Sequence, residues 1–259
     1  MKTLLTFLFI AFSLSISAQI KHKKKLPTYF GIEFSPVFPT SFIGEKTLTL
    51  NQPINDPFNL TTTITQKMGF SIGGTVRASF TKFIALETGL NYTKRNYDIT
   101  MALPDSSISK NTTLGFIQYS LPINALFYIK LDEKWYMDAS LGLGINFSPT
   151  NVGKITKHEN RHVFYHLGYL DKKIGFDMNA NLGFEFRTEK KGIFYLGGSA
   201  RIPFQPLFHL YMQYEYNTSA TVKVLDGDVD GSFLAIQVKY FFPNIKNKGT
   251  QFNKGPIEQ

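Results

Sequence analysis

The stretch FSIGGTVRASF, residues 70–80, alternates apolar and polar side chains along its whole length. One set of positions is apolar or glycine, namely Phe70, Ile72, Gly74, Val76, Ala78 and Phe80. The other set is small or polar, namely Ser71, Gly73, Thr75, Arg77 and Ser79. Because successive side chains of a β-strand point to opposite sides, this pattern predicts a strand with one face for hydrocarbon and one for a polar environment.

The same alternation recurs along the chain. It predicts further strands at Tyr29–Pro36, Leu86–Thr93, Tyr119–Ile129, Trp135–Phe147, Phe176–Arg187, Ile193–Ile202 and Phe233–Phe242. Most are about the length that crosses an outer membrane at a tilt. Their polar faces are built from Gly, Ser, Asn and isolated charges, whereas a water-facing sheet is rich in Lys, Glu and Thr. We therefore predict an all-β fold, a transmembrane antiparallel up-and-down β-barrel, and prefer it to a soluble barrel or sandwich.

Eight strands is the leading count. After Ile202 the same parity continues to Tyr216, interrupted by Pro203 and Pro206. This predicts a seventh strand that projects far beyond the membrane, and the alternative is an extra hairpin that makes ten strands.

The connections alternate between short and long. Thr81–Phe83, Lys130–Lys134 and Thr188–Gly192 are predicted to be tight turns, and Thr40–Lys67, Ile99–Thr113 and Pro149–Lys173 to be long polar loops. Bacterial outer-membrane barrels have short turns in the periplasm and long loops outside the cell. The loop lengths thus predict the orientation.

The ends of the chain differ from the barrel region. Lys2, an apolar run to Leu14 and small residues up to Ala18 match a secretory signal, so we predict a signal peptide at 1–18. A basic N-terminal segment, 19–27, a barrel, 28–242, and a polar C-terminal tail, 243–259, follow. The net charge of +9 is concentrated in part in Lys21–Lys25, which we interpret as a solvated tail with headgroup affinity, and nothing predicts a nucleic-acid partner.

With no cysteine among 259 residues, a lipid-anchored lipoprotein and thiolate metal sites are excluded.

The polar face of the barrel carries charges of both signs. The predicted lumen residues are Glu33, Arg77, Glu87, Asp138, Asp177, Glu185, Arg187 and Lys239. An eight-stranded barrel is only wide enough for side chains to fill it, and an unpaired buried charge is costly. We expect these residues to pair and plug the lumen; a proton or ion path is the alternative.

One stretch of the third long loop matches a metal motif. His158, Glu159, Asn160, Arg161 and His162 spell the H-E-x-x-H pattern of zinc proteases. If the segment were helical, His158, His162 and His166 would share a face. The segment is rich in β-branched and aromatic residues, so we interpret the match as chance, with a surface metal site or a peptidase as alternatives.

A second stretch begins like a calcium loop. Asp226–Gly231 reads DGDVDG, but the twelfth position of the pattern, which calls for glutamate, is Gln237 on a predicted strand. We expect an acidic hairpin tip that enters the last strand, with weak calcium binding as the alternative.

Three segments carry a family resemblance. ALETGLNYTKRNY (85–97), IQYSLPINALFYI (117–129) and GFDMNANLGFEF (175–186) resemble the outer-membrane β-barrel domain family of the Bacteroidota, which includes PorT-like proteins. The resemblance covers about residues 28–242 and implies a small outer-membrane barrel without a catalytic signature; some relatives are connected with protein secretion. The chain departs from the family at its end, because residues 243–259 follow the aromatic residue that closes the last strand.

These observations predict a function class. We expect a non-enzymatic integral protein of the cell outer membrane with a plugged polar lumen, acting as a structural, envelope or secretion-associated interaction protein. Its expected partners are outer-membrane lipid and envelope or secretion-system proteins. No catalytic, cofactor-binding or metal residue is predicted, and no cofactor. The alternatives are a small channel or uptake protein and, further off, a loop metal-binding protein or an enzyme of the barrel rim.

Overall fold

The structure, a computed structural model, describes residues 27–51, 59–81, 83–159, 161–188, 190–217 and 219–243. The strands are β1 Thr28–Phe38, β2 Thr47–Asn51, β3 Thr61–Ser79, β4 Ile84–Leu103, β5 Ile108–Lys130, β6 Trp135–Phe147, β7 Val152–His158, β8 His162–Tyr169, β9 Ile174–Thr188, β10 Gly192–Pro203, β11 Phe208–Tyr216, β12 Ser219–Val229 and β13 Phe233–Phe241. A short 3₁₀ turn, Pro104–Ser106, joins β4 to β5. The predicted signal peptide, the basic segment to residue 26 and the tail from residue 244 lie outside the described residues.

Eight strands close into a barrel. Their order is β1, β13, β10, β9, β6, β5, β4, β3, and β3 pairs back onto β1. Every pairing is antiparallel, and each barrel strand lies beside the barrel strands that precede and follow it in sequence. The predicted up-and-down barrel and the count of eight are confirmed.

The exterior of this barrel is apolar. Outward-facing residues such as Ile32, Leu90, Phe127, Leu141 and Leu182 are about half exposed, while the polar side chains of the alternate positions are buried inside. An apolar exterior around a polar interior is the arrangement of a transmembrane barrel.

Three strands are longer than the sequence pattern predicts. β3, β4 and β5 continue beyond the barrel as a projecting sheet, so the predicted loop Ile99–Thr113 is in fact strand on both sides of a tight connection. The predicted loop Thr40–Lys67 likewise contains β2 and the start of β3, and Pro149–Lys173 contains the β7–β8 hairpin. These three predictions were wrong because polar and apolar residues alternate in the segments as they do in strands, and alternates such as Ile64, Ile99 and Phe164 are buried in the cap.

A second sheet covers the projecting strands. Its order is β12, β11, β8, β7, and we call it, together with the projecting parts of β2 to β5, the cap. The predicted projection of the seventh strand is wrong, because β10 ends at Pro203 and the chain changes to the second sheet at Phe208. The two prolines favour this change, since proline cannot donate to a strand ladder. The alternative of ten barrel strands is also excluded, because β11 and β12 pair in the second sheet and not in the barrel.

A hydrophobic core lies between the two sheets of the cap. Its buried members include Leu60, Ile64, Tyr97, Ile99, Met101, Leu103, Leu114, Phe116, Phe164, Leu210, Met212, Tyr214 and Leu225. The ring of Phe208, at the start of β11, lies 5.2 Å from the ring of Tyr97 and 5.4 Å from that of Phe116. The cap core therefore packs on the inner faces of β4 and β5 directly beyond the lumen.

The polarity of β4 and β5 inverts where the barrel meets the cap. On β4 the inward face is polar up to Arg95 and apolar from Tyr97, while the outward face changes from Leu90 to Asp98 and Thr100. β5 inverts at the paired position, Phe116. In the neighbouring strand β3, a bulge between residues 67 and 70 lies at the same level.

Aromatic pairs mark both ends of the apolar exterior. At the cap end the ring of Tyr92 lies 6.1 Å from Phe70 and 5.7 Å from Tyr119. At the opposite end of the barrel, where short turns join the strands and which we call the turn end, the ring of Trp135 lies 5.0 Å from that of Phe186. Aromatic girdles of this kind flank the lipid-facing band of membrane barrels. Among the described residues, no helix is long and apolar enough to cross a membrane.

Candidate functional site

The barrel lumen contains many acidic and basic side chains. In the part of the chain that the structure describes, five cationic and five acidic side chains are buried inside the barrel. The acidic ones are Glu33, Glu87, Asp138, Asp177 and Glu185, and the cationic ones are Arg77, Arg95, Arg187, Arg201 and Lys239. The set is formally neutral, which is what a closed interior of low dielectric requires.

Arg77 is the centre of this network. Its guanidinium donates from Nε and Nη2 to one oxygen of Glu87, at 2.9 and 2.7 Å, and from Nη1 to Glu185. Asp138 lies 3.8 Å away. The ring of Phe241 covers the guanidinium at 4.1 Å from its centroid. One cation thus holds three carboxylates of three other strands, and the lumen is cross-linked through its middle.

Two more cations, Arg187 and Lys239, lie in the half of the lumen nearer the turn end. Arg187 donates from Nη2 and Nε to Glu185, at 2.9 and 3.1 Å, and stacks over the ring of Tyr136 at 3.8 Å. Lys239 donates to Glu87 and lies 3.8 Å from Glu33. All eight charges predicted for the lumen are buried there, and seven of them pair with one another, whereas Asp177 lies 4.0 Å from a cation outside the predicted set, Arg201.

Two further cations, which were not predicted, lie in the lumen at its cap end. Arg95 donates to the carbonyl of Gly231 and, at 3.0 Å, to Gln118, and Arg201 donates to Ser120 at 3.0 Å. Arg201 also lies 4.0 Å from Asp177. Strand parity would have found both, because Arg95 continues the inward face of Asn91 and Thr93, and Arg201 that of Ser199.

The first and last residues of the H-E-x-x-H stretch lie on two paired antiparallel strands. His158 ends β7, His162 begins β8, and the two pair across the turn with ring centroids 5.9 Å apart. His166 lies four residues further along β8, roughly 13 Å away at strand spacing. The histidines therefore do not converge as they would on a helix. Among the described residues, no group of three or more His, Asp or Glu side chains could hold a metal ion.

Two of these histidines are tied to the cap core. His162 Nδ1 lies 2.8 Å from the hydroxyl of Tyr214, and burial, followed by the neighbouring His158, lowers its pKa. His166 is 2% exposed and burial lowers its pKa to about 4. His166 is therefore a neutral member of the cap interior at pH 7.

The acidic stretch Asp226–Gly231 does not form a hairpin tip, which corrects the prediction. Asp226 and Asp228 lie on β12 and face His209 of β11, at 3.3 Å from Nε2 and 2.8 Å from Nδ1. The hydrogen bond to Asp228 is the largest cause that raises the pKa of His209. Asp230 instead accepts hydrogen bonds from the backbone of Glu45, at 2.8 Å, and of Ser232, at 3.0 Å. The stretch fixes the strands around it.

The outer face of the second cap sheet carries aromatic and apolar side chains beside polar ones such as Gln213, Asp226 and Asp228. Its exposed or half-exposed members are Ile155, Tyr165, Leu167, Tyr169, Tyr211 and Val224. Some are direct neighbours in the ladder: Tyr211 pairs with Leu167, and Tyr165 with Ile155. We call these six residues the tyrosine face. It lies on the side of the sheet that points away from the cap core.

Comparison with known proteins gave no family assignment. No protein-family model and no curated protein matches the chain. Among solved structures, the translocator domain of autotransporter NalP from Neisseria meningitidis is 7% identical, with 93% of this chain and 96% of that one covered and a TM-score of 0.36. The beta domain of the Bordetella autotransporter Brka is 8% identical, with 85% and 99% covered and a TM-score of 0.27. At scores this low, the fold assignment rests on the strand pairing alone.

Proposed function

We propose that this chain is a non-enzymatic integral outer-membrane β-barrel protein with a closed lumen, which acts as an interaction protein of the cell envelope. One observation carries the membrane part of this proposal: the inversion of polarity along β4 between Leu90 and Thr100. Below the inversion the strand has hydrocarbon outside and polar groups inside, and above it has water outside and an apolar core inside. A single strand needs both patterns only if it leaves a bilayer.

The closed lumen supports a role that is not transport. The pairing of Arg77 with Glu87 and Glu185 crosses the interior, and the cap core lies directly beyond it. A channel needs a continuous polar path, and here the path ends at Tyr97 and Phe116. We therefore favour a function in which the surface of the protein binds a partner over transport through the lumen.

The tyrosine face is the surface that we propose for partners. Contiguous exposed apolar patches on a protein outside the membrane mark binding sites, and tyrosine combines apolar area with a polar tip at interfaces. Membership of the PorT-like Bacteroidota family and an association with secretion-system proteins are part of the same proposal, supported by the three resembling segments.

Planar-bilayer recording tests the closed lumen. The refolded protein is expected to give no steady open-channel steps. The double variant Arg77→Ser, Glu87→Ser keeps the lumen neutral while it removes two of the plugging side chains, so it is expected to conduct more than the wild type. Steady steps from the wild type would support the channel alternative and contradict the proposal.

Photo-cross-linking in native membranes tests the tyrosine face. A cross-linking residue at Tyr211 is expected to capture one defined envelope protein. The matched control is the same residue at Thr100, on the outer face of the other cap sheet, which is expected to capture none. Equal patterns from the two positions would show that the tyrosine face is not the interface.

A further inference from the structure

The lipid-facing exterior of the barrel contains a groove. It crosses β13, β1 and β3, has a volume of about 500 Å³, and is lined by the outward side of Ile32, Phe34, Ile72, Gly74, Val238 and Tyr240. Its walls are apolar. The groove lies where the first and last barrel strands meet.

Gly74 makes the floor of this groove. A Cβ at Gly74 would meet only the carbonyl oxygen of Gly31, at 3.9 Å, so a side chain could stand there without a clash. Glycine inside a strand weakens it, and one of the sites it marks is the close approach of a ligand or of another backbone. Gly198 on β10 also faces outward, with nothing within 4 Å of a Cβ, but it does not line the groove. The two glycines are therefore matched except for the groove.

A basic turn lies next to one end of the groove. The hydroxyl of Tyr240 donates to the carbonyl oxygen of Lys191, at 2.9 Å. Lys190 and Lys191 are exposed in the turn between β9 and β10. The ring of Phe194, 5.1 Å from Tyr240, belongs to the aromatic girdle at the same end. The turn that carries the exposed Lys190 and Lys191 therefore lies beside the Tyr240 end of the groove.

We propose that this groove binds one acyl chain of a phosphate-bearing glycerolipid of the turn-side leaflet, with the phosphate at Lys190 and Lys191. The inference rests on the proposed function, because it requires the barrel to lie in a bilayer. Within hydrocarbon, association is driven by van der Waals packing, and small residues such as Gly74 permit close approach. Basic side chains at the membrane surface attract anionic headgroups. The groove supplies van der Waals packing for the acyl chain, and the two lysines supply electrostatic attraction for the phosphate.

Native mass spectrometry of the refolded, detergent-solubilised protein with added phosphatidylglycerol tests this site. The wild type is expected to retain one lipid. Gly74→Leu fills the groove and is expected to weaken retention by about tenfold, equivalent to about 1.4 kcal/mol. Gly198→Leu is expected to bind as the wild type does. Lys190→Gln with Lys191→Gln is expected to weaken phosphatidylglycerol but to leave dioleoylglycerol, which has no phosphate, unchanged.

Equal retention by Gly74→Leu and Gly198→Leu would overturn the inference. So would a dimer that Gly74→Leu alone dissociates, since the groove would then hold a second copy of the chain. Alkaline extraction of membranes separates this failure from failure of the proposed function. If both leucine variants stay in the membrane while lipid retention is equal, only the groove assignment is wrong; if the wild type is extracted, the proposed function fails as well.

Discussion

Arg77 and Glu87 face each other across β3 and β4 in the centre of the barrel, and two nitrogens of the guanidinium donate to one carboxylate oxygen. Because Arg77 also bonds to Glu185, this residue connects opposite parts of the lumen wall. The polar interior is therefore held by few, highly shared contacts. Loss of the Arg77 guanidinium should therefore lower the stability of the whole barrel.

Arg77→Met tests this dependence. Removal of the cation leaves Glu87 and Glu185 short of compensating charge, and breaking a buried pair costs about 3–5 kcal/mol. We expect the free energy of unfolding in urea, followed by the heat-dependent shift of the folded barrel on electrophoresis, to fall by that amount. The control is Lys67→Met, because Lys67 and Asp98 form an exposed pair at 3.3 Å, and such pairs contribute at most about 1 kcal/mol. Similar losses in both variants would contradict the central role of Arg77.

Phe164→Ala tests the separate core of the cap. Phe164 is fully buried and its ring lies 5.1 Å from that of Tyr214, so truncation leaves a cavity worth about 3–5 kcal/mol. We expect limited proteolysis to cut the cap of the variant while the barrel strands stay protected. Leu167→Ala, an exposed position on the same strand, should leave the cap resistant. Simultaneous loss of barrel and cap would show that the two cores are one cooperative unit.

His166 predicts a pH dependence of cap stability. Its pKa of about 4 in the folded protein is below the value of about 6.5 in an unfolded chain. The unfolded state therefore binds the proton first, and the stability that neutral His166 contributes above pH 6.5 is lost as the pH falls towards 4. The pKa difference corresponds to about 3 kcal/mol. The measurement is cap protection against proteolysis or hydrogen exchange from pH 7.5 to 4.

His166→Phe removes this titration, so the loss of cap stability below pH 6.5 should be smaller than in the wild type, with the contribution of His162 remaining. His209 provides a control of opposite sign. Its pKa is raised, so its pairing with Asp226 and Asp228 is fully formed below pH 6.5 and is lost as the pH rises through the folded pKa. His209→Gln should leave the acid-side loss unchanged. A flat profile for the wild type would contradict the assignment of His166 as buried and neutral.

Alternation was sufficient to predict the barrel strands because a bilayer and a narrow polar lumen favour opposite polarities on the two faces of a strand. Trp135–Phe147 was predicted with the bounds that β6 has. The lumen charges followed from the same parity. Arg95 and Arg201 were missed only because the parity was not followed to the ends of their strands.

The cap could not be predicted by the same reasoning. Ile99, Met101 and Leu103 alternate with other residues just as the side chains of the barrel strands do. In the barrel the polar face of β4 is buried, whereas in the cap its apolar face is buried. Period alone does not say which face is buried, and Asp98 and Thr100 gave the segment the composition of a loop. What buries these residues is a sheet formed by β7, β8, β11 and β12, which are distant in sequence. Only pairing such as Tyr211 with Leu167 reveals that sheet.

The most direct test of the account uses the absence of cysteine from the chain. Leu90→Cys and Thr100→Cys place single thiols on the same outward face of β4, on either side of the polarity inversion. In the refolded protein in lipid vesicles, oriented with the cap outside, a membrane-impermeant maleimide is the probe. We predict rapid labelling at position 100 and protection at position 90 until detergent and denaturant are added. Equal labelling at both positions before denaturation would contradict a bilayer boundary between them, and with it the membrane-spanning barrel.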